Sequence, residues 1–300
     1  MQPVQVIFDC DPGKDDAFAI FLALACPQAL SVVALTAVEG NVPVAYTTSN
    51  ARRIVEAAGR PEIPVYRGCA RPMLRPLLRK EQVQGAGGLD ASGLPPQADP
   101  ERPKHAISAL IGLLEGAAEP LTIAAIGPLT NIAMLLIARP DLAGRIAHLY
   151  VMGGSEGPGN MGPYAEYNIL IDPHAAASVF AMDVPATLVT LDHTRDLRPP
   201  MAWFESMAGF GAPGRALAAM WRAQPIALYD VAVTGLMLWP ELFETQPCSV
   251  AVETCDTERM GQTRIARGEG PCRIVTGLDA ETFYRRIVEA MACYAAPSSN

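Results

Sequence analysis

The chain lacks any apolar stretch long enough to cross a membrane. Its longest, Ala17 to Cys26, falls far short of the ~20 residues a span requires. It also lacks a run of Lys and Arg. There are 23 basic and 31 acidic residues, a net charge of −8, which excludes binding nucleic acid by neutralising phosphates. The densest basic stretch, Arg71 to Lys80, reads as a solvated loop. No C-x-x-C pair occurs. The seven cysteines (Cys10, Cys26, Cys69, Cys248, Cys255, Cys272 and Cys293) are scattered and odd in number. They argue against zinc and disulfides, and predict buried, reduced thiols in a cytoplasm. No basic n-region opens the chain, so no export signal is expected. Histidine is scarce: His105, His148, His174 and His193 are all expected to pack or face solvent rather than act. With 50% hydrophobic and 18% charged residues, the chain fits a well-buried core and not disorder.

Strand-like and helix-like segments alternate. Strands are predicted at Val4–Phe8, Val32–Ala37, Leu121–Ile126, Ile146–Met152, Ala186–Leu191, Ser249–Glu253, Gln262–Ala266 and Arg273–Thr276. Helices fit Asp16–Ala25, Val44–Ala58, Lys104–Ala117, Leu129–Ala138, Pro173–Ala181, Val231–Leu238 and Glu281–Tyr294. The alternation predicts an α/β fold: a doubly wound, mostly parallel, Rossmann-like open sheet. The last strands lack intervening helices, so antiparallel pairing is expected near the C-terminus. No repeat or linker divides the chain, so one domain over residues 1–300 is expected. Two stretches break the pattern: 71–103, rich in Pro and Gly, and the weakly helical 199–225. Both are expected to be loop insertions of the kind that form lids or binding loops.

The most informative segment is Asp9-Cys10-Asp11-Pro12-Gly13-Lys14-Asp15-Asp16. Its four carboxylates fall where a strand ends and a helix begins, the edge at which open α/β sheets bind ligands. Charges held that close repel unless a cation or protons relieve them, so a hard-metal site for calcium or magnesium is predicted. Polar residues recur at later strand ends: Glu39-Gly40-Asn41, Gly127-Pro128-Leu129-Thr130-Asn131, Met152-Gly153-Gly154, Gly159-Asn160, Ala165-Glu166-Tyr167-Asn168 and Tyr229-Asp230. Side chains of this kind around one cleft suit a polyhydroxylated ligand, because each hydroxyl both donates and accepts. A strand ending in D-x-D also opens phosphatases of the haloacid dehalogenase type. Against that reading, Gly13 stands where they carry Thr or Val, and no late Asp-Asp pair follows.

The ordered set of motifs resembles the nucleoside hydrolases of the inosine-uridine-preferring type, over nearly the whole chain. The resemblance implies calcium-dependent hydrolysis of a ribonucleoside's N-glycosidic bond, releasing base and ribose. It implies Asp11, Asp16 and Asp230 as calcium ligands, with the Ile126 carbonyl. Asp11 would also be the general base. Asp15, Asn160, Glu166 and Asn168 would bind ribose, with Asn41 near the attacking water and the sugar. Met152, beside Gly153-Gly154, reads either as a contact to the sugar or as core filler, and Asp9 reads as support for the site from behind. A dimer or tetramer is implied as well.

The chain departs from the family on the leaving-group side. Many members carry His before the last Asp and in an early His-Gly segment. Here Tyr229 and Gln84 stand at those positions. Tyr229 could stack on the base, as in the purine-specific branch, or donate its proton; the first gives a leaning towards purines. Glu39 or His193 could serve instead as acid. A different ribosyl substrate, or a non-catalytic ribonucleoside-binding protein that keeps the metal site, are the alternatives. Glu39 reads first as a helix cap. Trp203, Trp221 and Trp239 read as core, with Trp221 retained as a possible base contact.

Overall fold

The computed structural model describes residues 2–78, 86–95 and 104–295. Its nine strands are β1 (Val4–Cys10), β2 (Leu30–Ala37), β3 (Val65–Arg67), β4 (Leu121–Ala125), β5 (Ile146–Met152), β6 (Ala186–Val189), β7 (Phe243–Val252), β8 (Thr263–Arg267) and β9 (Cys272–Leu278). They form one sheet in the order β3-β2-β1-β4-β5-β6-β9-β7-β8. Pairing is parallel from β3 through β9, and antiparallel where β7 meets β9 and β8. The expected α/β class, with its late antiparallel strands, is what the structure shows.

The order carries the functional consequence. The chain runs from β1 outward through β2 to β3, then returns to lay β4 on the other side of β1. The connections leave β1 and β4 in opposite directions, and a crevice opens beyond their carboxyl ends. The acidic segment follows β1 and Ile126 follows β4, so both arrive at this crevice.

Apolar clusters cover both sheet faces. One face carries α1 (Lys14–Ala25), α2 (Val44–Ala57), two helices α8 (Met201–Ser206) and α9 (Gly211–Ala223), α10 (Tyr229–Leu238) and α11 (Ala280–Met291). The other carries α3 (Ala106–Gly116), α4 (Thr130–Ala138) and α6 (Pro173–Phe180). Two short helices, α5 (Tyr167–Ile171) and α7 (Leu191–Thr194), sit near the crevice. Every residue of α1 is buried. A helix apolar all round needs cover on every side, and α1 has it from the sheet and from α9, α10 and α11.

Two expectations change here. Residues 199–225 are not an irregular lid: α8 and α9 pack into the core, where Trp221 is 1% exposed and stacks on Phe204 with ring centroids 4.7 Å apart. The glycines that suggested a loop instead allow tight turns; Gly211, at φ +60°, opens α9. The cysteines also divide. Cys10, Cys248 and Cys272 are buried, but Cys255 lies exposed between β7 and β8, and Cys293 lies exposed in the final turn. Among the described residues, no helix is long and apolar enough to cross a membrane.

Candidate active site

The crevice is a cleft of about 460 Å³ lined by Asp11, Asp15, Asn41, Ile126, Met152, Asn160, Glu166, Tyr167, Asn168, Ile226, Tyr229 and Asp230. Nearly every residue expected at the site is brought together here. Asp16 lies fully buried beneath the floor, and Gln84 lies outside the described residues.

The acids converge because two helices begin at the same place. Asp15 and Asp16 occupy the first turn of α1, and Asp230 the first turn of α10, which packs beside it. The free N–H groups of a helix start favour negative charge. Ligand oxygens of Asp15, Asp16 and Asp230 lie within 4.8 Å of one another. Asp16 also shapes the loop: Oδ1 accepts from the Asp11 amide at 3.1 Å, and Oδ2 from the Gly13 amide at 3.0 Å and from Asn41 Nδ2 at 3.3 Å.

Asp11 projects between two glycines. A Cβ on Gly40 would fall 2.1 Å from Asp11 Oδ2, and one on Gly127 would fall 2.7 Å from Oδ1. Only a bare backbone lets the carboxylate sit there. Asp11 Oδ2 accepts from the Asn41 amide at 2.6 Å, whereas Oδ1 is buried with no hydrogen-bond partner among the described residues. Behind it, Asp9 Oδ1 accepts from Thr36 Oγ1 at 2.5 Å and Asn131 Nδ2 at 2.8 Å. Asn131 in turn accepts from the Cys69 amide at 2.9 Å, tying the ends of β1 and β3 together.

Burial and mutual repulsion push these acids upward. Burial raises Asp9 and Asp16 to about 7; for Asp16 the Asp15 charge adds to it. Burial lifts Asp11 and Asp230 well above the usual carboxylate range, helped by Asp16 and Asp15. Oxygen-only donors, crowded negative charge and a buried carboxylate oxygen without a partner together fit a hard cation such as calcium.

The Asn168 side of the cleft is built on carbonyls and caps. Asn168 Nδ2 donates to the Ile126 carbonyl at 3.0 Å and to the Met152 carbonyl at 3.2 Å, bridging the ends of β4 and β5. Glu166 has two duties: it lines the cleft and caps α5, accepting from the amides of Asn168 at 2.9 Å, Ile169 at 3.1 Å and Gly154 at 3.2 Å. Asn160 Oδ1 is buried without a partner among the described residues. The loop carrying it is clamped by α7: Asp192 accepts from the Glu156 amide at 2.7 Å and the Gly157 amide at 2.9 Å, and the Arg195 guanidinium donates to the Pro158 carbonyl.

Tyr229 sits at the other side, half-buried. Burial pushes its phenol above the ordinary value, while Arg198 and Arg195 pull it back. Tyr167 and Ile226 also line the cleft and were missed. Tyr167 stands inside a quoted motif but reads as core; its Oη donates to the Gly40 carbonyl at 2.9 Å. Ile226 falls in an aperiodic stretch with no signal. Glu39 caps α2, accepting from the Val44 amide at 2.9 Å, so its bland reading stands. The four histidines are absent from the cleft lining; His148 pairs with Thr187 Oγ1 at 2.8 Å on the sheet, and His105 caps α3.

Sequence comparison fits this geometry. The profile of the inosine-uridine preferring nucleoside hydrolases matches residues 6–285. The chain belongs to that family. The pyrimidine-specific ribonucleoside hydrolase RihA of Citrobacter koseri is 35% identical, aligning over 97% of this chain and 98% of its own. A solved plant nucleoside hydrolase superposes with a TM-score of 0.89 at 29% identity, over 98% of this chain and 100% of that one. A purine-preferring ribonucleoside hydrolase from Gardnerella vaginalis also gives 0.89, at 23% identity over 97% and 98% of the two chains, a likeness of fold. The chain is therefore an N-ribosyl hydrolase, and the non-catalytic alternative falls away.

Proposed function

We propose that this protein hydrolyses pyrimidine ribonucleosides with calcium bound among Asp11, Asp15, Asp16, Asp230 and the Ile126 carbonyl. The carrying observation is the buried acid cluster at the switch point, with Asp11 Oδ1 unpartnered among the described residues. The purine leaning drawn from Tyr229 gives way, because the similar RihA proteins are pyrimidine-specific. Asp15, which the sequence reading kept for the sugar, is added to the proposed ligands because its carboxylate lies within 4.8 Å of those of Asp16 and Asp230.

Calcium held by these residues would supply charge that lowers the pKa of a water molecule. The chain's own residues do the rest. Asp11 Oδ1 takes the proton of the attacking water, while the Asn41 amide holds Oδ2. The water oxygen bonds to C1′, and the glycosidic electron pair departs with the base. Asp15 and Glu166 face the positive charge that develops on the sugar. Asn160 and Asn168 fix the ribose through its hydroxyls. Ile126 and Met152 give the cleft apolar walls, and Tyr229 meets the base.

Ribose release from uridine, cytidine, inosine and adenosine tests this, with chelator and with Ca²⁺ or Mg²⁺ added back. Expected are faster turnover of uridine and cytidine, loss on chelation, recovery with Ca²⁺, and no measurable turnover by Asp11→Ala. Faster turnover of the purines overturns the base assignment. Recovery by Mg²⁺ but not Ca²⁺ overturns the ion, and an active Asp11→Ala overturns the base catalyst.

A further inference from the structure

Charge is divided across the cleft. Asp11, Asp15, Asp16, Asp230 and Glu166 crowd the floor and sugar side. The cations Arg198 and Arg195 stand at the Tyr229 side and pull its phenol down, against burial and the Asp15 and Glu166 charges, which push it up. The turn after α7 brings them there. Leu228, just before Tyr229, donates its amide to the Leu197 carbonyl at 2.9 Å, so the two segments lie side by side. The Arg198 guanidinium has two partners: Nε donates to the Arg195 carbonyl at 3.0 Å, and Nη2 makes a long hydrogen bond to Tyr229 Oη at 3.5 Å.

The geometry matters because of the direction of donation. A guanidinium has no acceptor, so in this pair Tyr229 Oη must accept. That occupies a lone pair and frees the hydroxyl hydrogen to point elsewhere. When the C1′–N1 bond of a pyrimidine nucleoside breaks, its electron pair goes to N1 and spreads onto the exocyclic oxygen beside it. A donor aimed at that oxygen stabilises the transition state more than the ground state. Neither usual imidazole is needed for this, since the base can leave as an anion and take its proton from solvent.

We propose that Arg198 is a positioning residue that turns and polarises the Tyr229 hydroxyl, so that it donates to the departing base. Arg198 is exposed and water screens its bare charge, so its leverage comes through the hydroxyl it holds. This rests on the pyrimidine ribonucleoside reading above. Arg198 stands behind the Tyr229 hydroxyl, whereas the carboxylates crowd the cleft floor, so the hydroxyl lies between the two signs of charge.

The test compares two leaving groups. Uridine needs help to depart; 4-nitrophenyl β-D-ribofuranoside releases a stable phenolate without it. Steady-state kcat and KM are measured for wild type, Arg198→Met, Arg198→Lys, Tyr229→Phe and the Arg198→Met/Tyr229→Phe double variant. Removing one charge-assisted bond predicts a roughly 10- to 100-fold loss in uridine kcat for Arg198→Met, with KM little changed. The loss on the aryl riboside should be smaller by at least about tenfold, by the same reasoning. Arg198→Lys should recover part of the uridine rate, and Arg198→Met should add nothing to Tyr229→Phe. Equal losses on both substrates, or none on uridine, overturn the role of Arg198. A wild type that releases ribose from uridine keeps the underlying reading intact whatever Arg198 does; a wild type that releases ribose from neither substrate overturns both.

Discussion

Asp11 owes its place to neighbours that have no side chain. Gly40 and Gly127 stand in motifs that the sequence marks, yet nothing in their spacing says why they are glycine. The reason is three-dimensional: each backbone, one after β2 and one after β4, closes on the same carboxylate. A methyl group at Gly127 meets both Asp11 Oδ1 and the Asp11 amide, at 2.7 and 3.0 Å, so the carboxylate must move. Gly127→Ala is expected to cut kcat at least about 100-fold, since small misplacements of a reacting group are that costly. Overpacking should cost about 1–3 kcal/mol of stability, read from urea unfolding. A variant with wild-type kcat shows that the Asp11 position is not critical.

At the level of elements, the sequence showed those with a long, uniform period and hid those that tertiary packing makes. α1 is legible because twelve consecutive buried positions leave an unbroken apolar run after the acids. β3 is invisible because three residues carry no period. β7 starts six residues before the predicted strand, because Glu244, Thr245, Gln246 and Pro247 look like a turn; they pair with β9 on a half-exposed edge of the sheet. α9 was obscured by Gly211, Gly214 and Pro213, although its Trp221 face is core. A lid and a core helix respond differently to truncation. Trp221→Ala should destabilise the fold by roughly 3–5 kcal/mol in chemical unfolding. An unchanged unfolding midpoint restores the lid reading. The cleft itself was legible because acids and amides cluster at strand ends. The surroundings of Tyr229 were not, because Ile226 and Arg198 sit on irregular backbone, where spacing carries no information.

For the whole molecule, the acid cluster sets a tension between folding and pH. Without a cation, folding raises Asp16 from 3.8 to about 7, and Asp11 and Asp230 rise well above the ordinary range. Between about pH 4 and 7 the folded state therefore holds protons that the unfolded chain has released, so stability falls as pH rises through that window. A bound cation replaces those protons and stabilises the folded state by its binding free energy. Chelated protein is expected to melt at a lower temperature at pH 8 than at pH 5, and Ca²⁺ to raise the melting temperature more at pH 8. Thermal denaturation with and without chelator checks this; a Ca²⁺ increment independent of pH contradicts it. The strand order has a further effect in time. The acidic loop is made before β2 and β3, but β4 reaches its side only after both, and Asp230 follows only after β6. A nascent chain thus carries the concentrated negative charge of that loop while every segment between it and Asp230 is still being made. The acid cluster is a product of tertiary assembly and not of the acidic loop alone.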